Sequence, residues 1–139
     1  MRTQLKVIVL FSILTGCAGG PSPEQLAASP RRELSPVEKK ALAVTLSQTL
    51  KDPAAAQFKW LPAVIAPREG VNDYCGLVNG RNSYGGYTGF QKFYAQLYPD
   101  DKGQFGRGLI RAVASDEVLT VAVDGQCEKY GYVDFSQAK

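Results

Sequence analysis

The sequence lacks histidine altogether and has little cysteine. Its 139 residues include no histidine and three cysteines, and no two cysteines are spaced as C-x-x-C. Histidine is the commonest general base and a frequent metal ligand, so its absence removes much catalytic and metal chemistry. The remaining residues form no recognisable catalytic motif. We therefore predict a protein that is not an enzyme and that needs no cofactor or metal.

Long apolar runs are also missing, but a short one lies near the N-terminus. Arg2 and Lys6 supply a positive end, and residues 7–14 follow as an apolar run broken only by Ser12. A transmembrane helix needs about 20 apolar residues, so this run is too short to be one. The pattern predicts a cleaved signal peptide over residues 1–16.

The end of this signal carries a distinctive tetrad. Leu14, Thr15, Gly16 and Cys17 follow one another at the end of the apolar run, and together they resemble a bacterial lipobox. The resemblance implies that Cys17 becomes the lipidated first residue of the mature protein, carrying acyl chains such as palmitate. Ala18, in place of an aspartate, implies an outer-membrane lipoprotein facing the periplasm, with the cell surface as the alternative. An ordinary secretory signal with an incidental Cys17 is the competing interpretation.

The predicted mature chain carries almost no net charge. The formal charge is +3 for the whole sequence and +1 once Arg2 and Lys6 are removed with the signal. This balance gives no electrostatic footprint for nucleic acid, so none is expected as a partner.

Residues 17–34 are predicted to comprise the lipidated cysteine and a flexible tether. Three prolines, Pro21, Pro23 and Pro30, occur there among glycine, serine and alanine. A flexible coil of this length would hold the domain about 20 to 25 Å from the bilayer. A structured arm is the alternative.

The remaining cysteines form an even pair. Lipidation of Cys17 leaves Cys75 and Cys127, which would be exported to an oxidising compartment. We therefore predict a disulfide between them. It would close a loop of 52 positions, for which chain-entropy estimates give about 4 kcal/mol of stabilisation.

Residues 35–139 are predicted to form a single domain that begins with a helix. Ser35, Pro36 and Glu38 make a capping box with proline at the first helical position. The helix is predicted to run to about Leu50, because Pro53 disfavours helix in the residue before it. A further helical turn is predicted over residues 52–58.

After this turn the pattern becomes rich in short strands. They are predicted at residues 61–66, 74–79, 87–97, 109–115 and 118–124. Asp116 and Glu117 are predicted to form the turn of a hairpin between the last two. The expected fold is α+β: an N-terminal helix packed on a small antiparallel sheet of four to five strands, with one disulfide.

The most individual stretch lies between Tyr74 and Tyr98. It contains seven of the fourteen aromatic residues and five glycines. A broad loop over residues 79–86 is predicted to join two strands. Alternation on the second strand puts Phe90 and Tyr94 on an aromatic and polar face, which is either an interaction surface or covered by a neighbouring segment. The candidate binding residues are Asn79, Arg81, Asn82, Tyr84, Tyr87, Phe90 and Tyr94.

Two motifs carry a resemblance to a known family. Residues 52–58 read D-P-x-x-A-x-F, and residues 75–90 read C-G-x-V-N-x-x-N-x-x-G-G-Y-x-G-F. Together they resemble a small, functionally uncharacterised family of proteobacterial outer-membrane lipoproteins. The resemblance covers residues 52–90. It implies an α+β envelope protein, and it carries over no catalytic residue.

Three function classes are compatible with these features. The first, and the one we expect, is a lipid-anchored interaction protein, accessory to an envelope assembly or secretion complex and bound to a protein partner. The second is a glycan-binding or peptidoglycan-binding module, because Asn79, Arg81, Asn82, Tyr84 and Tyr87 supply hydrogen bonds and stacking surfaces. The third is a small inhibitor of a periplasmic lysozyme-type enzyme, with the loop as a plug.

Overall fold

The computed structural model describes residues 19–65 and 70–139. The predicted signal peptide, Cys17 and Ala18 lie outside the described residues. The described residues contain three α-helices: α1 Pro23–Ala27, α2 Pro36–Ser47 and α3 Glu117–Lys129. A 3-10 turn lies at Pro53–Ala55. No helix in the part of the chain that the structure describes is long and apolar enough to cross a membrane.

The strands form two antiparallel sheets. They are β1 Arg31–Arg32, β2 Gln57–Lys59, β3 Ala63–Val64, β4 Asn72–Asn79, β5 Gln91–Tyr98 and β6 Arg107–Val113. The larger sheet has the order β2-β4-β5-β6, and the smaller one pairs β1 with β3. The predicted α+β class and the antiparallel pairing are confirmed.

Helices lie on both faces of the larger sheet. Leu97 of β5 faces Gly108 of β6 in the register, and a Cβ at Gly108 would lie 3.2 Å from the carbonyl oxygen of Ala41 in α2. Successive side chains of a strand point to opposite faces. Tyr94, an odd number of residues from Leu97, therefore points to the other face, where its ring stacks on Tyr130 just after α3.

The predicted disulfide is confirmed. Cys75 of β4 is bonded to Cys127 of α3, with their Cα atoms 5.9 Å apart. Both residues are buried, in the core that also contains Phe93, Leu42 and Leu46. The bond therefore holds α3 against the centre of the sheet.

The predicted strand at residues 118–124 is wrong, because this segment belongs to α3. Asp116 is the N-cap of that helix, and its carboxylate accepts a hydrogen bond from the backbone N–H of Leu119 at 2.8 Å. The predicted hairpin turn is therefore a helix start. Val123 and Cys127, one helical turn apart, face the core, whereas Val118 and Val121 are exposed. The β-branched residues suggested a strand, but the cap and the core contacts favour a helix.

The prediction of a flexible tether is also wrong over residues 22–34, which form a structured arm. Ser22 and Gln25 make a capping box at the start of α1. Leu26 of α1 and Leu34, which follows β1, are buried in the core. Burial of these two leucines gives the segment the hydrophobic stabilisation that its composition did not suggest.

The helix predicted from residue 35 begins as expected but is not the first helix. The Ser35 and Glu38 capping box is formed, and α2 ends at Ser47. The helix that the prediction placed on the sheet is α2, which packs against β6, whereas the first helix of the described chain, α1, contacts α3.

Several strand boundaries also differ from the prediction. One edge strand of the larger sheet is β2, which overlaps the region predicted as a helical turn. The segment predicted at 61–66 shortens to β3, outside that sheet. Residues 87–90 belong to a loop, because β5 begins at Gln91.

Candidate functional site

The loop between β4 and β5, residues 79–90, has a tip held by hydrogen bonds. The backbone N–H of Asn82 donates to the carbonyl of Gly86 at 2.8 Å, and that of Gly85 donates to the carbonyl of Asn82 at 3.1 Å. The side-chain oxygen of Asn82 accepts from the N–H groups of Tyr84 and Gly86, both at 3.0 Å. Gly85 has φ 81°, a conformation that favours glycine. The tip is therefore held in one conformation by hydrogen bonds among its own residues.

Asn79 closes the base of this loop. It is only 7% exposed, its amide nitrogen donates to Gln57 Oε1 at 3.1 Å, and its oxygen accepts from the N–H of Gly89 at 3.0 Å. Both groups of the amide are thus occupied within the fold. Asn79 is a structural residue of the site and is not available to a ligand.

Arg81 and Tyr87 tie the loop to the 3-10 turn that follows α2. The Arg81 guanidinium lies 5.2 Å from the centre of the Tyr87 ring and 3.6 Å from the Asp52 carboxylate. The Tyr87 hydroxyl donates to the carbonyl of Ala55 at 3.1 Å. These groups are partly exposed, so each contact contributes about 1 kcal/mol or less.

Tyr84 stands at the tip and is 97% exposed. Its backbone N–H is held by Asn82, while its ring and hydroxyl have no partner among the described residues. A large aromatic side chain in this position contributes little to folding, because almost none of its surface is removed from water.

Phe90 and Tyr94 separate in the structure. Phe90 is partly exposed and lies beneath the ammonium group of Lys59, 4.8 Å from the ring centre. Tyr94 is 7% exposed, stacks on Tyr130 with ring centres 5.7 Å apart, and donates to the Asp73 carboxylate at 2.8 Å. Burial, together with this hydrogen bond, raises the pKa of Tyr94 above its usual value. The prediction of Tyr94 as a surface residue is wrong, and its alternative, cover by a neighbouring segment, is correct.

A cleft of about 350 Å³ lies between the loop and the segment that follows α2. Lys51 lines this cleft, and its ammonium group donates a hydrogen bond to the Ser83 hydroxyl. The other lining residues include Thr49, Asn82, Tyr84, Thr88 and Gln91. Lys51, Ser83 and Gln91 were missed by the sequence analysis, because no local signal marks Lys51 as a neighbour of a loop about thirty positions away.

The cleft offers polar groups for binding. The amide of Gln91 and the side-chain nitrogen of Asn82 have no hydrogen-bond partner in the described part of the chain, and both line the cleft beside Tyr84. Residues 19–65 and 70–139 contain no group of three or more cysteine, aspartate or glutamate side chains able to hold a metal ion. The arrangement supports recognition by hydrogen bonds and stacking.

The chain matches no protein-family model, no curated protein and no solved structure. Any function assigned to the loop therefore depends on its geometry and on the sequence motifs.

Proposed function

We propose that this protein is a lipid-anchored interaction protein of the cell envelope. Cys17 holds it in the outer membrane, and residues 79–90 bind a protein partner, as an accessory to an envelope assembly or secretion complex. The observation that carries the binding role is the 97% exposed ring of Tyr84 on a tip held by four hydrogen bonds.

An ordered tip favours tight binding. Association costs free energy for every loop and side chain that must be immobilised, and a preformed turn reduces that cost. Tyrosine and arginine are enriched at the centres of protein interfaces. The same loop also carries Arg81 and the partly exposed rings of Tyr87 and Phe90, residue types that are favoured in such a centre.

The envelope location is supported by two features. The tetrad ending at Cys17 follows a short apolar run, as in lipoprotein signals. The Cys75 to Cys127 disulfide is typical of proteins that fold in an oxidising compartment such as the periplasm.

Site-specific photocrosslinking in cells tests this proposal. A photoreactive benzoylphenylalanine replaces Tyr84 in the full chain, and a matched variant carries it at Val133, which is also exposed but lies outside the loop. We expect a discrete crosslinked protein from position 84 and none from position 133. The Arg81→Ala change in the same background should reduce the yield severalfold.

The proposal is overturned if positions 84 and 133 capture the same set of proteins or if neither captures any. Capture of a lysozyme-type enzyme at position 84, with inhibition of its activity, would show that the inhibitor class is correct instead.

Glycan binding is a second candidate, and the cleft beside Tyr84 favours it. Sugar rings stack on exposed aromatic side chains, and the unpartnered side-chain nitrogen of Asn82 and amide of Gln91 supply donors and an acceptor in the cleft that Tyr84 also lines. Co-sedimentation of the purified chain with peptidoglycan sacculi tests this function. Loss of sedimentation in Gln91→Ala, with no loss in Gln126→Ala at an exposed position of α3 outside the cleft, would locate the glycan in the cleft. Failure of the unmodified chain to sediment would rule glycan binding out.

A further inference from the structure

The first folded residue lies close to the predicted lipid anchor. Ser22, the N-cap of α1, is five positions after Cys17. Five residues span at most about 18 Å even when fully extended. A tether unfolded to residue 34 would instead have reached about 60 Å.

Helix α1 lies at one end of the larger sheet. A Cβ at Gly131 would lie 2.5 Å from the carbonyl carbon of Leu26 in α1, so the two backbones are in contact. The next residue, Tyr132, donates its hydroxyl hydrogen bond to the carbonyl of Asp73 at the start of β4. We name this part of the domain the α1 end, defined by Leu26, Gly131 and Asp73.

The 79–90 loop lies at the opposite end, and two rigid elements establish this. Strand β4 runs from Asn72 at the α1 end to Asn79 at the base of the loop, a distance of about 23 Å at about 3.3 Å per residue. Helix α2 is about 18 Å long, and its Ala41 contacts Gly108 of β6, which lies in register with Leu97 and, through it, with Asn72. Beyond its end, a side-chain carbon of Leu50 lies 3.2 Å from the Cβ position of Gly80.

We infer that the anchored domain stands with its α1 end towards the bilayer and presents the 79–90 loop and its cleft away from the membrane. This inference rests on the lipid anchor at Cys17 put forward under the proposed function. The short span from Cys17 to Ser22 keeps the α1 end near the surface, and the length of the sheet separates the loop from it. The partner of the loop is then a molecule in the aqueous periplasm, and lipid headgroups of the anchoring leaflet are not its ligand.

Energy transfer to labelled lipids measures this orientation. The acylated full chain is reconstituted in phosphatidylcholine vesicles that contain rhodamine-labelled phosphatidylethanolamine. A donor dye is attached through Glu24→Cys at the α1 end or Tyr84→Cys at the loop tip, both exposed positions. The introduced cysteine is the one free thiol, because Cys17 is acylated and the other two cysteines are bonded.

We expect transfer to be severalfold more efficient from position 24 than from position 84. The matched control carries a long Gly/Ser insert between Gly19 and Gly20, which frees the domain to tumble and should bring the two efficiencies together. Equal transfer from the two positions without the insert, in protein that floats with the vesicles, would overturn the orientation alone. Failure of the unmodified chain to float with vesicles would overturn the lipid anchor and the orientation with it.

Discussion

Gly131 lies directly against the backbone of Leu26, at a distance that leaves no room for a side chain. A Cβ there would approach the carbonyl carbon of Leu26 to 2.5 Å. The contact joins the N-terminal arm to the segment after α3, two parts of the chain more than a hundred positions apart. It therefore makes residues 22–34 part of the domain.

Gly131→Ala should destabilise the protein. The alanine would clash with α1 and would also occupy φ 83°, so we expect a loss of at least about 2 kcal/mol in the free energy of unfolding. Urea denaturation measures this change. Gly125→Ala is the matched control, because it lies in α3 with no atom near its Cβ position, and it should stabilise by up to about 1 kcal/mol. Equal effects of the two changes would argue against a folded arm.

The residues of the 79–90 loop should divide into binding and structural groups. The double change Arg81→Ala and Tyr84→Ala should cost about 1 kcal/mol of stability or less while abolishing co-purification of the protein that is captured from position 84. Asn79→Ala should cost about 1 to 3 kcal/mol, because it removes the buried amide that hydrogen-bonds both Gln57 and the N–H of Gly89. Thermal melting separates the two groups. A double variant that melts far below the parent protein would show that the exposed side chains serve folding.

Removal of the disulfide should cost a large share of the stability. The double variant Cys75→Ala and Cys127→Ala reopens a loop of 52 positions, worth about 4 kcal/mol on the chain-entropy model. Urea denaturation of the parent protein with and without reductant should reproduce the difference. In the folded, unreduced protein neither cysteine should react with a maleimide, and labelling of both would contradict the bond.

Stability should fall in acid through Glu38. Burial would raise the pKa of Glu38, but hydrogen bonds from Arg32 and Ser35 outweigh it and hold that pKa below its ordinary value. A carboxyl group with a lowered folded pKa stabilises the fold above its unfolded pKa of about 4.5, and this contribution is lost as the pH falls through the folded pKa.

Glu38→Gln should therefore lower stability at neutral pH by about 1 to 3 kcal/mol and weaken the dependence on pH below about 4.5. Urea midpoints measured between neutral and acid pH test the prediction. Glu33→Gln is a nearby comparison. A parent and Glu38→Gln variant with parallel pH profiles would show that Glu38 does not titrate in this range.

Cys17→Ser should abolish lipid labelling and leave the unprocessed precursor. The thioether forms on the thiol, and a serine hydroxyl does not replace it. Metabolic labelling with a palmitate analogue, followed by gel mobility of the product, checks both effects. Lipid labelling that persists in the variant would remove the basis for the membrane anchor.

Local chemistry was sufficient to predict several elements from the sequence. The capping box of Ser35 and Glu38 predicted where α2 begins, because its hydrogen bonds join residues three positions apart. The pair Cys75 and Cys127 followed from counting the cysteines left after the predicted lipidation of Cys17. The glycines and asparagines before β5 predicted a loop, because they form turns with their own neighbours.

The tertiary structure decided whatever depended on distant partners. Val118 and Val121 have a high propensity for strands, yet the segment is helical. The helix is stabilised by the bond from Cys127 to Cys75 and by the burial of Val123 in the core. Leu26 and Leu34 are buried because the rest of the core cluster, which comes from later parts of the chain, packs around them. Long-range contacts of this kind leave no local signal in the sequence, because each residue is stabilised by a surface that a distant part of the chain provides.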